Sequence, residues 1–177
     1  MKEKRAPCER LTLVEPTLEL ESSFRQIAEE HQAEGNYGFQ KELADFASYI
    51  RRLRATALGE GLKPGQAPST TFWLVRDGKD IVARASLQHE LTPETEKEGG
   101  HIGYNVRPSE RRKVYGTRIL AMVLDKARER GMCRVLVTCD TDNIASGKII
   151  RANGGKFENE VISDDTSKAK SRYWIDL

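Results

Sequence analysis

The sequence predicts a mixed α/β single domain spanning residues 1–177. Its central sheet is mostly antiparallel, contains one parallel strand pair and is flanked by helices. Three observations carry that prediction. Residues 101–143 read as strand, polar loop, helix and strand, the helix marked by Ile119, Leu120, Met122, Val123, Leu124 and Ala127. Apolar positions three and four apart share one helix face, and a strand-crossover-strand unit is nearly always parallel and right-handed. The dipeptide Asp77-Gly78 separates two apolar runs, 72–75 and 81–87, which is a strong hairpin signal. The chain closes on two further runs, 157–162 and 171–175, paired antiparallel around the polar turn 163–170.

The remaining elements follow in order. Leu11, Thr12 and Leu13 alternate as a short first strand stopped by Pro16. Thr17 is placed to cap a helix whose inward face holds Leu18, Leu20, Phe24, Ile27 and Ala28. The Gly35–Gly38 region breaks it, and one helix over 40–57 follows, with Leu43, Phe46, Ala47, Ile50 and Leu53 inward. Residues 59–69, with three glycines and two prolines, read as a long loop. Tyr37, Phe39 and Tyr49 lie in this helical part and suit either core or pocket. Gly103 within the strand 100–106 marks a bulge or a close backbone approach. Gly131 ends the helix that precedes the strand Val135–Val137, and a short helix over 145–153 stops at Gly154-Gly155.

The loop at 107–116 carries anion-binding chemistry. A helix start leaves backbone N–H groups unpaired and has partial positive charge from the helix dipole. Gly116 permits close approach, and Arg111, Arg112 and Lys113 reinforce the field, which suits a diphosphate. A solvated charge run is the competing reading of the same three cations.

The segment RRKVYGT, preceded by GGHIGYNVRPSE and followed by CDTDNIASGKIIRANGGKF, resembles the coenzyme A-binding core of the GCN5-related N-acetyltransferase family. That family's loop, Arg/Gln-x-x-Gly-x-Gly/Ala, falls on Arg111, Val114 and Gly116. The resemblance implies an acetyltransferase-like fold and an enzyme moving acetyl from acetyl-CoA to a primary amine of a small molecule or peptide. It implies cofactor contacts from Val106, whose backbone N–H would meet the oxyanion, from Arg111, Arg112, Lys113, Val114, Tyr115, Gly116 and Thr117, and from Asn143 and Ser146. The sequence departs from the family twice: Val114 replaces a glycine, and Ile150 stands where many members carry the tyrosine that protonates the thiolate. Because the loop must fold with valine, Val114 is expected in an ordinary right-handed backbone. His101 is the favoured base, followed by Glu98 and His89; Tyr104, Tyr115 and Tyr173 are candidate acids. A coenzyme A-binding regulatory or structural domain with little transferase activity is the alternative.

Composition excludes other classes. A chain of 177 residues with 38% apolar and 32% charged side chains suits a soluble globular protein. The net charge of +2 points to neither nucleic acid nor a membrane surface as partner, and no apolar run approaches the ~20 residues of a membrane span. The start MKEKRAPCER lacks a secretory signal, and Cys8, Cys133 and Cys139 lack metal-ligand spacing. A cytoplasmic location without metal, as monomer or homodimer, is the expectation. Neither a Gly-x-x-x-x-Gly-Lys-Ser/Thr loop nor a GxGxxG turn occurs, which argues against a nucleotide-binding module.

Overall fold

The computed structural model describes residues 9–164 and 166–177; Cys8 and most of the amino-terminal stretch read above for a signal lie outside them. Two antiparallel sheets form the frame. The first has the order β1 (Leu11–Val14), β2 (Ser69–Arg76), β3 (Asp80–Gln88) and β4 (Ile102–Val106). The second has the order β5 (Arg134–Asp140), β7 (Ala169–Asp176) and β6 (Lys156–Ile162). Helices α1 (Glu21–Ala33), α2 (Gln40–Ala44) and α3 (Phe46–Ala57) precede β2; α4 (Tyr115–Glu129) links β4 to β5; α5 (Ile144–Ala152) links β5 to β6.

The middle of the first sheet is buried on both faces, and β2 shows why its sequence reads as a continuous apolar run. Phe72 and Leu74 join one core with Ile119, Leu120 and Val123 of α4, while Trp73 and Val75 join a second core with Phe24, Ile27 and Ile50 of α1 and α3. Successive strand side chains point to opposite faces, so each residue serves a different layer. The hairpin forms as predicted: Asp77 and Gly78 have φ values of 51° and 75°, and the Lys79 N–H donates to the Arg76 carbonyl. Two successive residues in the left-handed region are what a type I′ turn requires.

Several local expectations are corrected. The helix read over 40–57 is two helices, because Asp45 leaves helical geometry (φ −142°, ψ 80°) and its carboxylate accepts the Ser48 N–H. A side-chain cap at that point starts a new helix in place of continuing the old one. Thr17 makes no capping bond, and Leu18 is exposed. Gly103 sits in a regular ladder opposite Ser86; the register shifts lie instead at Leu74/Val75 and at Phe157/Asn159.

The strand pair expected to run parallel in one sheet is divided between the two sheets. Among the described residues β4 and β5 share one bridge, Gly100 to Val137. Beside it the His101 N–H donates to the Leu136 carbonyl at 2.7 Å, and the Leu136 N–H donates to His101 Nδ1 at 2.9 Å. Gly100 has φ +70°, and a Cβ there would fall 2.6 Å from the Leu136 oxygen, so only glycine fits this junction. From that pin onward β4 is an edge strand and has no ladder with β5.

Candidate functional site

A groove of about 1100 Å³ runs along the open edge of β4. One wall is Tyr104, Asn105 and Val106; the floor is the 108–114 loop with the start of α4; the other wall is the first turns of α5, including Asn143, Ser146 and Ile149. Gly116 lets these parts close together, since a Cβ would lie 2.7 Å from Ile149 Cδ1 and 3.4 Å from Val106 Cγ2.

The groove presents donors. No backbone N–H from Arg112 to Thr117 has a hydrogen-bond acceptor among the described residues, whereas the Arg118 N–H already reaches the Val114 carbonyl. Six successive unpaired N–H groups exceed the usual orphan set of a helix start. The loop backbone explains the excess: Arg112 and Val114 have φ values of 64° and 61°. Left-handed residues alternating in a turn turn N–H groups inward into a concave anion site. This overturns the expectation that Val114 is right-handed. Val114 takes a left-handed conformation, which glycine adopts freely, with its side chain largely exposed.

The edge of β4 adds two more donors. The Arg107 N–H bonds the Val82 carbonyl, and the register pairs Arg84 with Asn105 and Ala83 with Val106. Alternation along an antiparallel ladder then places Tyr104 and Val106 at non-hydrogen-bonded positions, their N–H groups directed off the outer edge. Tyr104 Oη lies 2.7 Å from Ser146 Oγ, bridging β4 to α5 across the groove. Burial raises the Tyr104 phenol to about 12, against the lowering effect of the Ser146 bond, so it stays protonated near neutrality. Asn143 caps α5 by accepting the Ser146 N–H at 3.0 Å, which fixes the serine's place.

The cations are distributed differently from the sequence reading. Arg111 makes a two-pronged pair with Glu34 at 2.8 and 2.9 Å, and Arg107 bonds Glu30 at 2.7 Å. Lys113 bonds Glu110 at 3.0 Å and does not line the groove. Burial alone would raise the Glu110 carboxyl, but hydrogen bonds from Lys113 and Arg76 outweigh it and hold it below its ordinary value. Arg112 lines the groove and has no ion pair or hydrogen bond among the described residues. Lys148, which the sequence reading passed over, lines the opposite wall one turn beyond Ala145. The spacing of 145 to 148 and 149 on one helix face was the available signal.

The structure therefore brings together Tyr104, Val106, Arg111, Arg112, Val114, Tyr115, Gly116, Thr117, Asn143 and Ser146, all of which line the groove. It does not bring His101 or Glu98 there. His101 is buried at the sheet junction with Nδ1 occupied, and loss of hydration followed by the Arg134 charge lowers its affinity for a proton. Glu98 accepts the Asp164 N–H and, through its carbonyl, the Thr138 hydroxyl. His89 is held between Thr70 and Arg130. Tyr115 directs its hydroxyl to Glu9 and Arg76, while Tyr173 is buried beside Phe157. Ile150 is fully buried in the main core, so its side chain does not face the groove as the family tyrosine would. Of the three aromatics, Tyr37 and Phe39 lie between α1 and α2, the first exposed and the second reaching a smaller cavity behind Tyr104, while Tyr49 of α3 is buried.

A family model described as the acetyltransferase (GNAT) domain matches residues 10–156. No curated protein matches the sequence. Among solved structures, the fold is similar to the microcin C7 self-immunity acetyltransferase, in complex with acetyl-CoA and AMP. There identity is 15% over 94% of this chain and 92% of that one, with a TM-score of 0.72. It is also similar to a Salmonella typhimurium acetyltransferase that modifies the N-terminal serine of ribosomal protein L7/L12, at 15% identity over 94% and 95% of the two chains and a TM-score of 0.69. Mycobacterium smegmatis RimJ, in complex with CoA-disulfide, gives 17% identity over 94% and 82% and a TM-score of 0.73. At such identities the likeness is one of fold.

Proposed function

The chain belongs to the acetyltransferase (GNAT) domain family, and from that premise we propose that it moves acetyl from acetyl-CoA to a primary amine of a small molecule or protein. The observation that carries the reading is the row of six unpaired N–H groups, 112–117, at the head of α4. A diphosphate accepts such bonds, and both the helix dipole and Arg112 favour its charge. Lys148 adds a second cation on the facing wall.

When bound, acetyl-CoA supplies an activated thioester; the chain's own residues supply position, donors and a proton. The Val106 N–H, directed off the edge of β4, is placed to bond the carbonyl oxygen as it becomes an oxyanion, a contribution that typically reaches ~10²–10³-fold. The nitrogen–carbon bond forms, the carbon–sulfur bond breaks, and the leaving thiolate takes a proton. Ser146 and Tyr104 hold that proton on adjoining hydroxyls, with Tyr104 kept in its neutral form by burial. The amine releases its own proton to solvent through the open cavity behind Tyr104, and solvent returns one to the Tyr104–Ser146 hydroxyls. His101 and Glu98 line neither cavity and take no part in this scheme.

Two measurements test the proposal. Acetyl-CoA at a hundred times its dissociation constant stabilises the fold by about 2.7 kcal/mol through mass action. For a domain of this size that raises Tm by roughly 5–10 °C. No shift at millimolar cofactor sinks the proposal. Thiol release across a panel of amines then reads turnover, and Tyr104→Phe and Ser146→Ala should each lower kcat about 10–100-fold with KM for acetyl-CoA nearly unchanged. Tight binding without turnover of any amine would make the chain a coenzyme A-binding domain instead.

A further inference from the structure

Behind Tyr104 and Asn105, on the far side of β4 from the cofactor groove, lies a cavity of about 280 Å³. This is space for roughly nine waters, or one small molecule. Its walls include Arg84 and Ser86 of β3, Thr71 of β2 and Phe39 before α2. The cavity shares Tyr104 and Asn105 with the groove, so it is where an acceptor would meet the thioester.

The charge in this cavity is the reverse of what a simple amine needs. A cationic amine would be expected to find a carboxylate, yet no acidic residue lines the walls and the one charged side chain is Arg84. Its guanidinium stacks on Phe39 at 4.7 Å and on Phe24 at 5.2 Å, and Nη2 donates to the Tyr49 hydroxyl at 3.0 Å. Among the described residues Nη1 makes no hydrogen bond, and Nε is enclosed without a partner. No carboxylate lies within ion-pair distance among the described residues. Glu42 of α2 acts on Arg84 at longer range, but its nearer cation is Arg52, at 3.9 Å, and its own Oε2 is buried without a hydrogen bond. Arg84 is half-buried and lies without a paired anion, among the described residues, in a cavity that opens to solvent, so its charge is available to an anionic ligand. The hydroxyls of Thr71 and Ser86 make no hydrogen bond among the described residues and line the same cavity as the guanidinium.

Resting on the acetyl-transfer reading above, we infer that the acceptor is a small primary amine that also bears a carboxylate, with the carboxylate seated on Arg84, Ser86 and Thr71 and the amine directed past Tyr104 toward the groove. A guanidinium with unused donors matches a carboxylate in charge and geometry. The occupant is thereby an amino-acid-like molecule rather than a polyamine.

Matched pairs of acceptors provide the test: glycine, β-alanine and γ-aminobutyrate, each against its carboxamide, followed by thiol release with saturating acetyl-CoA. At least one carboxylate should exceed its carboxamide by tenfold or more in kcat/KM. Arg84→Gln should bring that pair together, and Arg84→Lys, which keeps the charge, should retain part of the preference. Wild-type data alone decide the matter if Arg84→Gln folds poorly. Equal or better use of the carboxamides overturns the inference, as does turnover of no carboxylate-bearing member. So does a preference seen only with peptides starting in aspartate rather than asparagine, which moves the carboxylate to a protein substrate. Failure of acetyl-CoA to bind at all refutes the acetyl-transfer reading itself, so the two failures are told apart.

Discussion

Replacing Val114 with glycine should stabilise the protein, an unusual direction for a substitution that removes three carbons. The working is local. Val114 has φ 61° and ψ 0°, a conformation that costs an L-residue about 1–2 kcal/mol and is worst for a β-branched one. Glycine removes that cost but adds about 0.5–1 kcal/mol of unfolded-chain entropy. The valine side chain is 68% exposed, so little burial is lost. The balance is a gain of about 0.5–1 kcal/mol, or roughly 1–4 °C in Tm. Thermal and urea denaturation of the ligand-free protein, followed by circular dichroism, give both figures. Val114→Ala is the control: it shortens the side chain but still demands a left-handed L-residue, so it should recover only a small part of the gain. Affinity for coenzyme A should change by no more than a few fold, because the loop N–H groups keep their places. A Val114→Gly protein no more stable than Val114→Ala would refute the strained-loop argument.

Other perturbations separate binding from architecture. Arg112→Ala should weaken coenzyme A binding about 10–100-fold, the range of a lost charge-assisted contact. Its effect on ligand-free Tm should be small, since Arg112 is exposed and has no ion pair among the described residues. Arg111→Ala should cost less affinity, because Glu34 already engages that guanidinium. The His101 imidazole must be neutral to accept the Leu136 N–H, and burial holds it below its ordinary value of 6.5. The unfolded chain therefore binds more protons below pH 6.5, and His101's contribution, complete above that pH, is lost as pH falls through the folded value. His101→Gln should flatten the loss of Tm between pH 7 and 5 and leave the pH profile of kcat unchanged; a vanished ionisation in kcat would return His101 to the role of base.

What could be read from the sequence was what short-range rules govern. The Asp77-Gly78 turn, the apolar face of α4 and the closing β6–β7 pair follow from spacing and turn chemistry within a few residues. The helix break at Asp45 was also local, but its cap competed with an apolar pattern that continues through it. Other features depend on partners far along the chain. Glu34 and Glu30 neutralise Arg111 and Arg107 across nearly eighty positions, and only the fold reveals it. Likewise His101 resembled a base because it lies next to β4, while its burial comes from β5. Ile150 was matched to a catalytic position by counting along a helix, which fixes position but not which face meets the core. Arg84 lies in an alternating strand, where nothing nearby in sequence tells a solvated arginine from a half-buried one without a paired carboxylate.

The most direct test of the central claim is amide NMR of the ¹⁵N-labelled protein titrated with coenzyme A. In the free protein, the amides of residues 112–117 should exchange rapidly with water, since none is hydrogen-bonded among the described residues. On binding, most of them should shift downfield and become protected together, with Val106 joining when acetyl-CoA replaces coenzyme A. Saturable binding that leaves the 112–117 amides unshifted and unprotected would contradict the account, because the cofactor would then be held somewhere other than the head of α4.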